Sequence, residues 1–226
     1  MKAELKKRII TSIFLLLLLV AMFLYTFVLI ISLIIVSVIA WIEFYALISK
    51  IFKKNNSKHK TLRFFYKAIS LLFLLILVFF IIDAKINSPE LELIIIYSIY
   101  ISIMTDIGGL IFGKIFGGKK LTRISPKKTY SGVIGSFLLS LIFTNLFLDF
   151  LSNVETFEFT KKMFLFILLV SLVSQIGDLI ISYFKRVSKI KDTGTIIPGH
   201  GGILDRIDGM IFALPFAYVF FLNFSF

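Results

Sequence analysis

The stretch "IITSIFLLLLLVAMFLYTFVLIISLIIVSVIAWIEFYALI", residues 9–48, decides the fold. It is almost continuously apolar. As one α-helix it would measure ~60 Å at ~1.5 Å per residue. The hydrocarbon core of a bilayer is only ~30 Å thick. The block must therefore cross twice, with a turn near Tyr25–Phe27. Similar apolar runs at 66–83, 93–113, 132–149, 163–183 and 209–225 predict further spans. The expected fold is all-α: a polytopic integral membrane protein of about seven transmembrane helices (six to eight). Residues 1–226 read as a single membrane-embedded domain.

Composition agrees. Hydrophobic residues make up 58% of the chain, with 27 Phe and a mean hydropathy of +0.99. That exceeds the roughly 45–50% of ordinary soluble domains. Absence of cysteine excludes disulfides, thiolate chemistry and a Cys-based metal site. The opening "MKAELKKRIITSIFLLLLLV" is basic and then apolar, like a signal peptide. Its apolar run continues far beyond a usual h-region and no A-x-A site follows, so a retained first span is expected.

The formal net charge is +12. If the N-terminus is cytoplasmic, 22 of the 25 Lys and Arg lie before the first span or in the segments 50–67, 114–128 and 185–206. Only Lys85, Lys161 and Lys162 lie opposite. This asymmetry is a topology signal, reinforced by anionic headgroups. It gives the charge a cause other than nucleic acid, which is not an expected partner. The Ile/Lys/Phe/Asn-rich usage suggests a bacterial source, and hence the bacterial cytoplasmic membrane, with the active site on its inner face.

Asp106 and Asp178 are carboxylates deep inside two of the spans. Asp106 lies eight residues before Lys114, and Asp178 seven before Lys185. At the centre of a bilayer helix each would cost ~2.5–3.5 kcal/mol, so each needs a polar cavity and a cation. Their similar depth suggests two halves of one site. The loop after Asp106, "GKIFGGKKLTRISPKKTYSG", offers glycines that admit close backbone approach, Lys114 and Lys128, and the hydroxyls of Ser125 and Thr129. These groups suit phosphate oxygens.

The loop after Asp178, "KRVSKIKDTGTIIPGHGGILDRID", residues 185–208, is denser. It holds Lys185, Arg186, Lys191, Asp192, His200, Gly201, Gly202, Asp205, Arg206 and Asp208. Asp205 and Asp208 are three apart and share a helix face. With Asp178 they form an all-oxygen carboxylate set, which favours Mg²⁺ over zinc. Mg²⁺ beside Lys and Arg reads as phosphoryl or nucleotidyl transfer. His200 is a donor, a base or a turn residue. The substrates suggested are a polyphosphate from water and a lipid from the bilayer.

The stretch Ser182 to Asp208 resembles the signature of phosphatidate cytidylyltransferases, S-x-x-K-R-x4-K-D-x-G-x3-P-G-H-G-G-x-x-D-R-x-D. Ser182, Lys185, Arg186, Lys191, Asp192, Gly194, Pro198 to Gly202, Asp205, Arg206 and Asp208 fall in register. The "GDL" before it and the "SPKKT" segment are similar too. Two positions depart from the family pattern: Ser131 replaces an acidic or amide residue, and Leu110 an aromatic.

The resemblance implies CTP and phosphatidate as substrates, CDP-diacylglycerol and pyrophosphate as products, and Mg²⁺ as cofactor. It also implies a second, monovalent cation such as K⁺, and a homodimer. Asp178, Asp205 and Asp208 would hold metal. Lys185, Arg186, Lys191 and Arg206 would neutralise phosphate. Asp106 and the "SPKKT" loop would complete the pocket.

Other readings remain at this stage. A related CTP-using polyprenol kinase or CDP-archaeol synthase would share much of the chemistry. An ion-coupled transporter would explain Asp106 and Asp178, although not the dense charged loop. The "DRIDG" run does not extend into the CDP-alcohol phosphatidyltransferase motif, because Phe212 and Ala213 stand where that motif needs Ala-Arg.

Overall fold

The structure, a computed structural model, describes residues 2–53, 56–122, 124–152, 160–196 and 201–224. The described residues form eight helices: α1 Lys2–Leu24, α2 Thr26–Ile51, α3 Ser57–Asn87, α4 Pro89–Ile115, α5 Tyr130–Ser152, α6 Lys161–Val187, α7 Leu204–Ile207 and α8 Met210–Phe224. An isolated antiparallel bridge joins Lys120 to Thr129. The protein is an all-α polytopic membrane protein. Five helices are long and apolar enough to cross a bilayer: α2, α3, α4, the Tyr130–Phe147 part of α5, and α6. The Ile13–Met22 part of α1 and all of α8 are shorter apolar helices.

The turn expected in the first apolar block is a single residue. Tyr25 is extended (φ −126°, ψ 109°) between α1 and α2. The next three helices start before the hydropathy does. Helix α3 begins at Ser57, nine residues ahead of the expected span, because its first turns are Lys-rich and helical. Helix α4 starts on a cap: Ser88 Oγ accepts from the Leu91 N–H at 3.3 Å, and Pro89 follows. Glu90 and Glu92 lie in its first turn and Lys114 in its last, which matches the helix dipole.

Contacts divide the chain into two compact units, Met1–Ile82 with Phe184–Ile207, and Asp83–Tyr183 with Asp208–Phe226. In the first unit α1 and α2 touch. The Trp41 indole N–H donates to the Lys67 carbonyl at 3.3 Å, and the Lys67 ammonium lies over the Tyr45 ring. Phe184 packs edge-on against Phe44 and Tyr66.

The second unit has an apolar centre of Ile94, Tyr97, Ile101, Met163, Phe166, Ile167, Val170, Ala213, Ala217 and Phe220, from α4, α6 and α8. Helices α4 and α5 cross closely on small residues, as bilayer helices do. A Cβ on Gly108 would strike the Gly135 carbonyl, and one on Gly135 would strike Phe112. Buried hydroxyls bridge α4 to α5 and α4 to α6. Ser136 Oγ donates to the Thr105 carbonyl at 2.7 Å, and Thr105 Oγ1 to Ser171 Oγ at 2.8 Å. Leu110 is exposed, as a lipid-facing residue of a span should be.

Candidate active site

The second unit brings together the two in-span carboxylates. Helix α4 carries Asp106, α6 carries Asp178, and the α4–α5 connection carries Lys128. The Lys128 ammonium sits 2.6 Å from Asp178 Oδ2 and also donates to the Gln175 carbonyl at 3.4 Å. Ser182 Oγ, one turn further along α6, donates to Asp178 Oδ1 at 3.2 Å. Asp106 is close enough to feel the like charge of Asp178 and the opposite charge of Lys128. Asp106 and Asp178 thus lie on two helices of the same unit.

Lys128 is held by a small hairpin. The Lys120–Thr129 bridge closes it, the Leu121 N–H donates to the Lys128 carbonyl at 2.8 Å, and the Lys128 N–H to the Ser125 carbonyl at 3.1 Å. Thr129 caps α5: its Oγ1 accepts from the Gly132 N–H at 3.1 Å. Ser131 Oγ hydrogen-bonds to the Gly117 carbonyl, where Gly117 has φ +58°. The serine found where the family pattern has an acid or amide thus ties down the glycine turn. Lys114 is exposed at the end of α4.

Asp208 is buried at the start of the last apolar segment, and its Oδ1 accepts from the Gly209 N–H at 3.0 Å. Its backbone lies against α6. A Cβ on Gly177 would come within 2.9 Å of the Asp208 carbonyl oxygen, so the glycine beside Asp178 admits this contact. Ser174, one turn earlier, is buried against Gly209, and its hydroxyl has no hydrogen-bond partner among the described residues.

In the first unit the loop after α6 folds around two carboxylates. Asp205 Oδ1 accepts from Lys185 Nζ at 2.9 Å. Asp205 Oδ2 accepts from the Thr193 N–H at 2.8 Å, Thr193 Oγ1 at 3.0 Å and the Gly202 N–H at 3.3 Å. Burial pushes this carboxyl up, but Lys185 and Thr193 outweigh it and hold it below the ordinary carboxylate value. A metal role for Asp205 would require it to give up some of these contacts. Arg186, Lys191, Asp192 and Arg206 are exposed. Gly201 is in the left-handed region at φ +90°. His200 lies outside the described residues.

The second carboxylate of this loop is Glu43, 4% exposed within α2. It was not among the expected site residues. The signal was there: a lone carboxylate in an apolar span, the same argument that singled out Asp106 and Asp178.

Among the described residues no three His, Asp or Glu side chains gather into a metal cage. What gathers is a pair of carboxylates with a lysine between helices of a membrane protein. Fold and residues together define an integral membrane protein that holds charged side chains between its helices. A family model described as "Cytidylyltransferase family" matches residues 1–224, and the chain belongs to that family.

The chain is 46% identical over 123 residues to the phosphatidate cytidylyltransferase of Rickettsia bellii, covering 52% of each chain. It is 46% identical over 114 residues to that of Rickettsia typhi, covering 49% of this chain and 50% of the relative. It is 42% identical over 125 residues to that of Staphylococcus haemolyticus, covering 54% of this chain and 46% of the relative. The chain spans about half the length of the curated relatives it matches.

Proposed function

We propose that the protein makes CDP-diacylglycerol and pyrophosphate from CTP and phosphatidate. The observation that carries this is the Asp106–Lys128–Asp178 grouping in a chain of the cytidylyltransferase family. A phosphatidate phosphate oxygen forms a bond to the α-phosphorus of CTP. The bond from that phosphorus to the bridging oxygen breaks, and pyrophosphate leaves. No enzyme nucleophile is needed.

The residues suit a hard cation. Two carboxylates sit within electrostatic reach of each other, and a lysine ammonium supplies the positive charge they require. Asp178 and Asp208 would hold Mg²⁺, with Asp106 as the nearby third acid. When bound, the metal supplies charge neutralisation to the phosphates. Lys128 neutralises Asp178 and orients it. Lys185, Arg186, Lys191 and Arg206 are assigned to phosphate charge, and Lys114, Ser125, Gly201 and Gly202 to substrate contact. Asp205 keeps Lys185 in place. The further expectations of a K⁺-like second cation, a homodimer, a cytoplasmic N-terminus and a bacterial membrane belong to the same proposal.

The test is pyrophosphate release by the purified protein in detergent, with each substrate and Mg²⁺ omitted in turn. Release that needs both substrates and the metal supports the proposal. Folded protein that binds CTP without release in the presence of phosphatidate refutes the lipid acceptor. Protein that binds no CTP refutes the activity.

A further inference from the structure

We infer that Glu43, in the membrane helix α2, is the positioning residue for the 193–204 loop, and that its contacts set how tightly the protein holds its polyanionic substrate. The link to substrate rests on the function proposed above. Glu43 accepts from three donors of that loop. Oε2 takes Thr193 Oγ1 at 2.7 Å and the Leu204 N–H at 2.9 Å, while Oε1 takes the Ile203 N–H at 3.1 Å. Both ends of the loop are thereby tied to one side chain, 150 residues away in sequence from Thr193.

The loop is built to admit Glu43. A Cβ on Gly194 would meet Glu43 and nothing nearer, with the Oε1 and Cδ atoms in the way. A Cβ on Gly202 would collide with Thr193 Oγ1 and come within 2.5 Å of Glu43 Oε2. Gly194 and Gly202 therefore make room for a carboxylate.

Glu43 and Asp205 converge on the same Thr193 hydroxyl, at 2.7 and 3.0 Å. One hydroxyl hydrogen cannot serve both fully. The like charges are offset by the N–H groups of Thr193, Gly202, Ile203 and Leu204 and by Lys185. Charge-assisted bonds of this kind are about twice as strong as neutral ones. Without Glu43 the N–H groups of Ile203 and Leu204 lose their acceptor. Lys191 lies just before the loop and Arg206 just after it, so loosening the loop disperses positive charge meant for phosphates.

The experiment is a double-mutant cycle of Glu43→Ala and Gly194→Ala in the full chain. Two readouts are taken: the KM for CTP against kcat, and trypsin cleavage after Lys191 or Arg206. We expect each single variant to raise KM at least tenfold, with a smaller fall in kcat, and to expose the loop to trypsin. The double variant should be no worse than Glu43→Ala, because the added methyl then enters space the carboxylate has left. Glu43→Asp should recover part of the loss. Additive losses in the cycle, or a wild-type KM and cleavage pattern in Glu43→Ala, would overturn the inference. If Glu43→Ala does not accumulate, Glu43→Gln, with the same volume and one acceptor oxygen, is read outside the cycle by KM and trypsin cleavage, where wild-type values in both would overturn the inference. Trypsin protection needs no turnover. Glu43-dependent protection in a wild-type protein inactive on CTP and phosphatidate would refute the activity and leave the anchor standing.

Discussion

The molecule has two carboxylate clusters, and they differ in what neutralises them. In one, Asp178 is met by the side chains of Lys128 and Ser182, with Asp106 close by. In the other, Glu43 and Asp205 are met mainly by backbone N–H groups, with Lys185 supplying positive charge. Backbone donors are fixed by the fold and cannot leave. A lysine side chain on a hairpin can swing away and let a metal or phosphate take its place. The first cluster is therefore suited to chemistry and the second to architecture, although both consist of acids in apolar surroundings.

The largest effect tests the chemical cluster. Asp178→Asn keeps the shape and the Ser182 contact but removes the charge. Pyrophosphate release should fall by at least ~10³-fold, the scale of losing a well-placed electrostatic group. The variant should still insert and elute as folded protein. Near-wild-type turnover in such protein would show that Asp178 is a helix-packing acid and erase the contrast.

Asp205→Asn addresses the other side. The side chains of Lys185 and Asp205 are only 12% and 8% exposed. Neutralising one partner should cost about 3 kcal/mol of stability, the scale for breaking a buried pair. Its signature is a lowered unfolding midpoint, with activity recovering on cooling or with stabilising lipid. The pH dependence has a definite sign. The folded Asp205 carboxyl lies below its ordinary value, so its contribution is fully present above about pH 4 and is lost as pH falls through the depressed value. The stability gap between wild type and Asp205→Asn should be flat above that range and close below it. A gap that stays open in acid would mean that the lost hydrogen-bond geometry, not the charge, is what matters.

How much of this was legible depends on the range of the forces. Spans were readable because bilayer thickness limits helix length, which forced a break near Tyr25 in the first apolar block. The true helix starts were not. Hydropathy reports the part of a helix that meets lipid, while the Lys-rich first turns of α3 are helical outside it. Asp106 and Asp178 stood out because a charge in a span is costly. Glu43 carries the same cost, but its partners lie in a loop 150 residues onward, and no local pattern joins the two. The hydroxyls of the hairpin suit phosphate ligands in sequence, and spacing alone cannot distinguish a ligand from a cap. In the structure Thr129 caps α5 and Ser131 holds the glycine turn.

The smallest effect asks whether that cap is all Thr129 does. A Thr cap lost to Ala costs ~1 kcal/mol. If Thr129 serves the helix, Thr129→Ala should lower the unfolding midpoint by that amount and reduce turnover less than tenfold. Thr129→Ser, which keeps the hydroxyl, should restore both. Gly113 has room for the native side chain at 3.2 Å from its would-be Cβ, so the smaller serine meets no new obstacle. A loss above a hundredfold at undiminished stability would instead place the hydroxyl on substrate. Thr129 would then join Lys128 in the chemical cluster, and the rule that backbone-satisfied groups are architectural would fail at the hairpin nearest the site.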